Sequence, residues 1–191
     1  MAEPGGTRTR LLDAAAELMA GSGLEVPMAA IAEAAGVTRM TLYRHIGSRE
    51  ELLVQVLVRQ SRRLTAEVAA LLDEPGRAFG ERLVGAMVLI VTAVRASPVL
   101  SLYVEEITPS QLGALDRVGT FLTPIYDFLR PRFEAPEVRA QLRAGPEETL
   151  NWTLRQTLLQ LIVDGPASGS PEGLRAELEQ FFIPSILTPA G

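Results

Sequence analysis

Residues 29–49 read AAIAEAAGVTRMTLYRHIGSR, and this stretch decides the fold of the chain. Two short runs with apolar residues at helical spacing lie on either side of Gly36. Glycine adopts a left-handed backbone conformation without steric cost, so Gly36 suits the tight turn between two helices. Pro27 stands at or just before the start of the first run, and Thr38 is placed to cap the second. The pattern predicts a helix-turn-helix.

The same helical spacing continues through the rest of the chain, without the alternating β-branched pattern typical of strands. The sequence therefore predicts an all-α fold of about nine helices. The predicted helices span residues 8–20, 28–35, 38–45, 48–72, 77–96, 99–107, 109–129, 146–163 and 171–187, with a further short piece within 135–144. We expect a small core for the N-terminal three helices, built from Leu12, Ala16, Ile31, Ala32, Ala35, Val37, Leu42 and Ile46.

Composition excludes several classes of function. The 191 residues include no cysteine and one histidine, so we expect no disulfide, no metal site and no cofactor. Glu105 and Glu106 are adjacent, and adjacent residues of a helix point about 100° apart, so they make no catalytic pair. The longest apolar run, residues 86–91, is far too short to span a bilayer, and the N-terminus lacks a secretion signal. We expect a cytoplasmic protein without a membrane partner and without enzymatic activity.

Charge is distributed unevenly along the chain. The net charge is −5, which by itself argues against nucleic acid as a partner. Residues 38–49, however, carry three arginines, the histidine and no acidic residue. Hydroxyl, guanidinium and imidazole groups in this segment are donors suited to DNA phosphates and base edges. We expect DNA binding by one local basic surface, with little non-specific affinity.

Residues 7–53 resemble the N-terminal domain of the TetR family of bacterial transcriptional regulators. The matching positions are Ile31-Ala32, Ala35-Gly36-Val37, Thr41-Leu42-Tyr43-Arg44-His45, Ser48-Arg49 and Glu50-Glu51-Leu52-Leu53. The resemblance implies a helix-turn-helix DNA-binding domain at residues 1–50 and an effector-binding and dimerisation domain at residues 51–191. The boundary would lie within the fourth helix, near residue 50.

The resemblance also implies roles for single residues. The predicted DNA-binding residues are Thr38, Arg39, Met40, Thr41, Tyr43, Arg44, His45 and Arg49. Tyr43, His45 and Arg49 resemble phosphate contacts, while Thr41 resembles a phosphate or base contact. Arg39 occupies a base-reading position, where a bidentate contact with guanine is worth about 1–3 kcal/mol of discrimination.

Three residues depart from the family pattern. Pro27 replaces a capping threonine, Ala29 replaces a residue that is frequently polar, and Met40 replaces a glycine. A phosphate contact is therefore missing at residue 27, and Ala29 can hardly recognise a base. These departures leave Arg39 as the main residue for sequence discrimination.

Other interpretations of the predicted DNA-binding residues stay open. Tyr43 could instead brace the domain as a partly buried aromatic residue, and His45 could be a neutral structural side chain. Met40 could touch a thymine methyl group or only fill space. Arg44 is expected near a phosphate or in solvent rather than at a base.

For the C-terminal part, the resemblance implies a pocket for a small, apolar effector and a homodimer interface formed by the last two long helices. The predicted pocket residues are Met87, Val91, Leu102, Glu105, Phe121, Ile125, Phe128, Trp152 and Gln156, and ordinary core packing is the alternative for each. The implied function is a regulator, most simply a repressor, that binds a palindromic DNA operator as a homodimer and is released by the effector. Two rival hypotheses are a ligand-independent helical DNA-binding or protein-interaction module and a helical enzyme.

Overall fold

The structure is a computed structural model that describes residues 6–105, 119–163 and 170–189, without the side chains of residues 119–124. Within these ranges the regular elements are helices. In addition, one isolated antiparallel bridge pairs Leu142 with Leu187. The helices are α1 (Thr7–Ser22), α2 (Met28–Ala34), α3 (Arg39–Ile46), α4 (Arg49–Leu72), α5 (Phe79–Ala96), α6 (Pro98–Glu105), α7 (Gly119–Glu134), α8 (Pro136–Arg139), α9 (Pro146–Ile162), α10 (Pro171–Glu177) and α11 (Ile183–Ile186), with a π-helical turn (Leu178–Phe182) between the last two. The all-α prediction is confirmed.

The chain divides into two compact units. The first comprises Met1–Arg62 and Ser97–Tyr103, and the second comprises Arg63–Ala96 and Val104–Gly191. Helix α4 contributes residues to both. The predicted boundary near residue 50 stays a prediction.

In the first unit, α1, α2 and α3 enclose a small core. Gly36 has φ +66°, as the sequence predicts for the turn. The side chain of Thr38 accepts a hydrogen bond from the backbone N–H of Thr41 at 3.2 Å and so caps α3. The predicted core residues Leu12, Ile31, Ala32, Ala35, Leu42 and Ile46 are buried, whereas Ala16 and Val37 are half-buried. Leu11, Ala15 and Met19 of α1 are buried as well.

The start of α4 is fixed by a reciprocal capping box. The backbone N–H of Ser48 donates to the carboxylate of Glu51 at 2.6 Å, and the N–H of Glu51 donates to the Ser48 hydroxyl at 3.1 Å. Gly47, with φ +94°, precedes the box, and a Cβ atom at this position would collide with the Glu51 carboxylate. These contacts set the direction in which α4 leaves α3.

The second unit packs α5, α7, α9 and the last helices around one hydrophobic core. Phe79 of α5 and Phe133 of α7 meet edge to face within it, with ring centroids 5.3 Å apart. Helix α7 extends to Glu134, beyond the predicted end at residue 129, because Leu129 and Phe133 both face the core one turn apart. The predicted start of this helix, at residue 109, and the predicted end of α6, at residue 107, lie outside the described residues.

The last predicted helix, residues 171–187, contains a π-helical turn that the sequence pattern does not predict. Pro184 has no backbone N–H, and its ring conflicts with the carbonyl one turn earlier, so a regular α-helix is broken here. The N–H of Ile183 instead bonds to the carbonyl of Leu178, five residues back. The wider turn keeps a buried row of residues spaced by four on one side, namely Leu174, Leu178, Phe182 and Ile186.

No single helix of the described residues is both long and apolar enough to cross a membrane. Helices α5 and α6 meet that test only when taken together across the break between them.

Candidate nucleic-acid interface

Helix α3 has one buried side and one exposed side. Leu42 and Ile46, four residues apart, are buried in the first unit. The exposed side carries Arg39, Met40, Tyr43, Arg44 and His45, which we call the reading surface. Met40 is 80% exposed and Tyr43 52% exposed, so apolar area that would normally be buried is presented to solvent. Exposed apolar side chains next to cationic ones are suited to a partner that offers both phosphates and base edges.

The two threonines near the start of α3 are engaged with each other. The hydroxyl oxygens of Thr38 and Thr41 are 3.0 Å apart, within hydrogen-bond distance, while Thr38 also caps the helix. Thr38 is exposed at the helix end, and Thr41 is half-buried. The first-turn N–H groups of α3 carry the positive end of the helix dipole, which favours a phosphate near these hydroxyls.

Arg49 is held by the protein itself. Its guanidinium donates to the backbone carbonyls of Leu24 at 2.8 Å and Val26 at 3.0 Å, and one nitrogen lies 3.5 Å from a carboxylate oxygen of Glu25. It therefore ties the start of α4 to the segment that leads into α2. Its predicted phosphate contact stays a prediction, and any such contact would use a side chain that is already oriented by three partners.

Acidic residues follow the reading surface at the start of α4. There the pKa of Glu50 is lowered from its ordinary 4.5, first by hydrogen bonding to its own backbone N–H and then to Ser48. Glu50 is thus ionised at neutral pH, and Glu51 is occupied in the capping box. The acid-free, positively charged segment of the chain therefore ends at Arg49.

Three hydrogen bonds between α1 and α4 have no signal in the sequence pattern. Arg59 donates to the carboxylate of Asp13 at 2.5 Å and to the carbonyl of Thr9, and Arg8 donates to the side chain of Gln55 at 3.0 Å. The partners are about fifty residues apart in sequence, so no local motif reveals them. They brace the helix-turn-helix against the first half of α4.

The predicted effector residues are distributed over four helices. Met87 and Val91 of α5 are buried in the core of the second unit, and Ile125 and Phe128 of α7 pack against that core. Leu102 is half-buried and Glu105 exposed on α6, and Gln156 is half-buried on α9. Trp152 of α9 is 44% exposed, with its indole N–H 3.4 Å from the Ser185 hydroxyl. The side chain of Phe121 lies outside the described residues. Lining of a pocket by these nine residues stays a prediction.

Within residues 6–105, 119–163 and 170–189, no three His, Asp or Glu side chains come close enough together to hold an ion.

Comparison with known proteins agrees with a helix-turn-helix regulator. Residues 11–56 match the family model described as bacterial regulatory proteins, tetR family. The chain is 28% identical to an uncharacterised HTH-type transcriptional regulator of Mycobacterium tuberculosis, over 189 residues that cover 95% of this chain and 85% of that protein. It is 37% identical to the HTH-type transcriptional repressor KstR of Rhodococcus jostii, over 127 residues that cover 62% of this chain and 57% of that one.

The fold matches as well. A crystal structure of NalD, the secondary repressor of the MexAB-OprM multidrug efflux pump in Pseudomonas aeruginosa, superposes with a TM-score of 0.63 at 25% identity, covering 97% of both chains. The fold and the family match define a helix-turn-helix transcriptional regulator. Residues 11–56 carry the match to the TetR family, and the relatives named above are described as regulators.

Proposed function

We propose that this protein is a homodimeric repressor that binds a palindromic DNA operator through α3 of each subunit and is released by a small, apolar effector. Residues 1–50 would form the DNA-binding domain and residues 51–191 the effector-binding and dimerisation domain. The names of two similar proteins, KstR and NalD, describe repressors, which supports the direction of regulation.

The observation that carries the proposal is the reading surface itself. A solvent-exposed helix face with Met40 and Tyr43 beside two arginines and a histidine is costly to leave uncovered, and α3 itself has no carboxylate. The dimensions of an α-helix fit the major groove of B-DNA. Arg39, next to the Thr38 cap, is the residue we assign to base recognition, because a guanidinium forms two parallel hydrogen bonds with a guanine edge.

The dimer would form through α9 and the last helices. Trp152 lies beside Ser185, and Gln160 donates to Glu177 at 2.9 Å, so α9 and the chain from α10 to α11 run antiparallel. We propose that the exposed apolar side chains of this pair form one apolar outer face, namely Trp152, Leu159, Ile162, Val163 and Phe181 with exposures of 38% to 65%. Two such faces related by a twofold axis would complete a four-helix bundle with an apolar centre.

The effector would enter among α5, α7 and α9 of the second unit. Met87 and Val91 share a cluster with Ile125 and Phe128, so a ligand placed there meets an almost wholly apolar environment. Glu105 and Gln156 are the polar side chains that we propose as anchors. Trp152 and its exposed ring fit the dimer interface better than the pocket.

Selection of bound sequences from a random pool of double-stranded DNA tests the proposal. We expect a palindromic consensus, and we expect Arg39→Ala to lose preference at one position of each half-site, at a cost of about 1–3 kcal/mol. Arg62→Ala, which removes an exposed arginine of α4, is the matched control and should leave the consensus intact. An unenriched pool would contradict the proposal. Screening apolar small molecules for release of the selected DNA then separates an effector-responsive repressor from a ligand-independent one.

A further inference from the structure

The C-terminal end of α4 is held by one arginine of α7. Arg132 donates from Nε and Nη2 to the two carboxylate oxygens of Asp73, at 2.8 and 2.6 Å. Asp73 directly follows Leu72, the last residue of α4. This is a two-pronged guanidinium–carboxylate contact, the geometry in which an ion pair near the surface has a defined orientation.

The same guanidinium rests on Phe128, one turn earlier in α7. Its carbon lies 4.4 Å from the centroid of the Phe128 ring, and its third nitrogen, Nη1, donates to the Phe128 carbonyl at 2.6 Å. Arg132 is thus fixed on one side by Phe128 and on the other by Asp73. The Phe128 ring in turn packs against the core cluster that contains Met87 and Val91.

A second arginine supports the same end of α4. Arg82 of α5 donates from Nη1 to the carbonyl of Leu72, a helix-terminal carbonyl that has no partner in its own helix, and its guanidinium carbon lies 5.9 Å from the Phe79 ring. A cation at this position also complements the negative end of the helix dipole. The last turn of α4 is therefore held by side chains from both α5 and α7.

From this geometry we infer that Arg132 is a positioning residue for regulation: with Asp73 it holds the end of α4 in the operator-binding state, and displacement of Phe128 by an effector releases it. The inference rests on the proposed function and deepens it, because it names the contact through which the effector site acts on α4. Helix α4 is continuous and contributes residues to both units, so a change at residues 72–73 can be transmitted along its backbone toward the helix-turn-helix.

The link between Phe128 and Asp73 follows from how Arg132 is held. A ligand that inserts into the apolar cluster must move side chains that now fill it, and Phe128 is only partly buried against that cluster. Once the ring moves, the guanidinium loses the surface on which it stacks. It also loses the orientation that aligns Nε and Nη2 with the Asp73 carboxylate. A bidentate contact requires a defined orientation of the guanidinium plane, so displacement of the Phe128 ring weakens it.

The experiment measures amide hydrogen exchange of the full-length protein together with binding of the selected operator, for Asp73→Asn, Arg132→Gln and the double variant. We expect exchange over residues 66–73 to rise by about threefold to fivefold, and operator affinity to fall by up to about fivefold, because the Asp73 carboxylate is exposed and the contact is partly screened. Because both single changes break the same contact, the double variant should be no more impaired than the more impaired of the two single variants.

Two further variants keep the test specific. Glu67→Gln removes the carboxylate of the exposed Arg63–Glu67 pair on the same helix and should change neither readout. Arg132→Lys retains the positive charge but lacks the paired N–H donors and the planar group that stacks on Phe128, so exchange should still rise. This variant keeps the test valid even if Arg132→Gln folds poorly.

Unchanged exchange in Asp73→Asn and Arg132→Lys would overturn the inference. Faster exchange with wild-type operator affinity would also overturn it, because the contact would then serve stability alone. If the wild-type protein selects no DNA, the proposed function fails, and the inference fails with it. Selection by the wild type with no effect of the variants removes only the role of Arg132.

Discussion

The guanidinium of Arg49 lies 3.0 Å from the carbonyl oxygen of Val26, a residue 23 positions earlier in the chain. A second nitrogen of the same group binds the carbonyl of Leu24. The first residue of α4 thus fixes the segment that leads into the helix-turn-helix. This places a residue that the family resemblance assigns to DNA in a position where it also holds the domain together.

Arg49→Ala should therefore destabilise the protein before it affects DNA. Removal of two hydrogen bonds from a charged donor to backbone carbonyls should reduce the free energy of unfolding by about 1.5–3 kcal/mol, measured by urea denaturation. Arg62→Ala serves as the control. If Arg49→Ala unfolds like the wild type but its operator binding depends less on salt, Arg49 would instead serve phosphate contact alone.

Gly47 and Gly36 should differ in their tolerance of alanine. Gly36 has φ +66°, and no neighbouring atom lies within 4 Å of the place where an alanine methyl group would stand, so Gly36→Ala should cost about 1 kcal/mol of unfolding free energy. Gly47 has φ +94° with ψ −132°, and an added Cβ meets the Glu51 carboxylate, so Gly47→Ala should cost about 2–3 kcal/mol. Equal decreases in thermal or urea unfolding would argue against a strained turn at Gly47.

Tyr43 and Arg44 should affect DNA binding without changing sequence preference. Removal of the Tyr43 hydroxyl in Tyr43→Phe should weaken binding to every sequence alike, by about 0.5–1.5 kcal/mol. Arg44→Ala should reduce the slope of log affinity against log salt by about 0.9 for each phosphate that the arginine neutralises. Titrations at several salt concentrations, on operator and on unrelated DNA, measure both. A change of consensus in either variant would place that residue at a base.

The Asp73–Arg132 contact should make stability depend on pH in a defined direction. The hydrogen bond from Arg132 lowers the pKa of Asp73 below its ordinary 3.8. The unfolded chain therefore binds a proton first as pH falls, so the contribution of Asp73 is complete above pH 3.8 and is lost as pH drops through the lowered pKa. Asp73 is 56% exposed, which limits the effect to below about 1 kcal/mol.

Urea unfolding of the wild type and Asp73→Asn tests this expectation. The difference between the two proteins should be constant from about pH 7 to about pH 5 and should shrink below the ordinary pKa of 3.8. A difference that grows on acidification would mean that the neutral carboxyl group is the form stabilised by folding.

The apolar outer face should control assembly. Phe181, 65% exposed, should act as an interface anchor, so Phe181→Ser should raise the dimer dissociation constant at least about thirtyfold, as expected for a hot-spot residue. Sedimentation velocity measures the change. Val58→Ser, at an apolar residue of α4 that is 41% exposed, is the matched control. A wild-type dissociation constant for Phe181→Ser would move the interface to another face.

Much of this protein follows from local features of its sequence. Helical spacing predicts the all-α fold, because one face of each helix must be apolar to be buried. Gly36, the Thr38 cap and the Ser48–Glu51 box act over three or four residues, so their geometry is fixed by neighbours in the chain. The basic segment that contains Arg39 and no acidic residue is also visible in the sequence, because its residues are consecutive.

Tertiary structure decided what depends on partners far apart in the chain. The sequence alone does not reveal that Arg49 binds Val26, that Arg59 binds Asp13, or that Arg132 binds Asp73. The chain has 18 arginines and no lysine, so these cationic side chains look alike in the sequence. Only the packing of the helices brings one of them to a carbonyl, another to a carboxylate and a third to solvent. The exposure of Phe181 likewise depends on how the final helices pack, because an apolar side chain fits a core or an interface equally well until its surroundings are known.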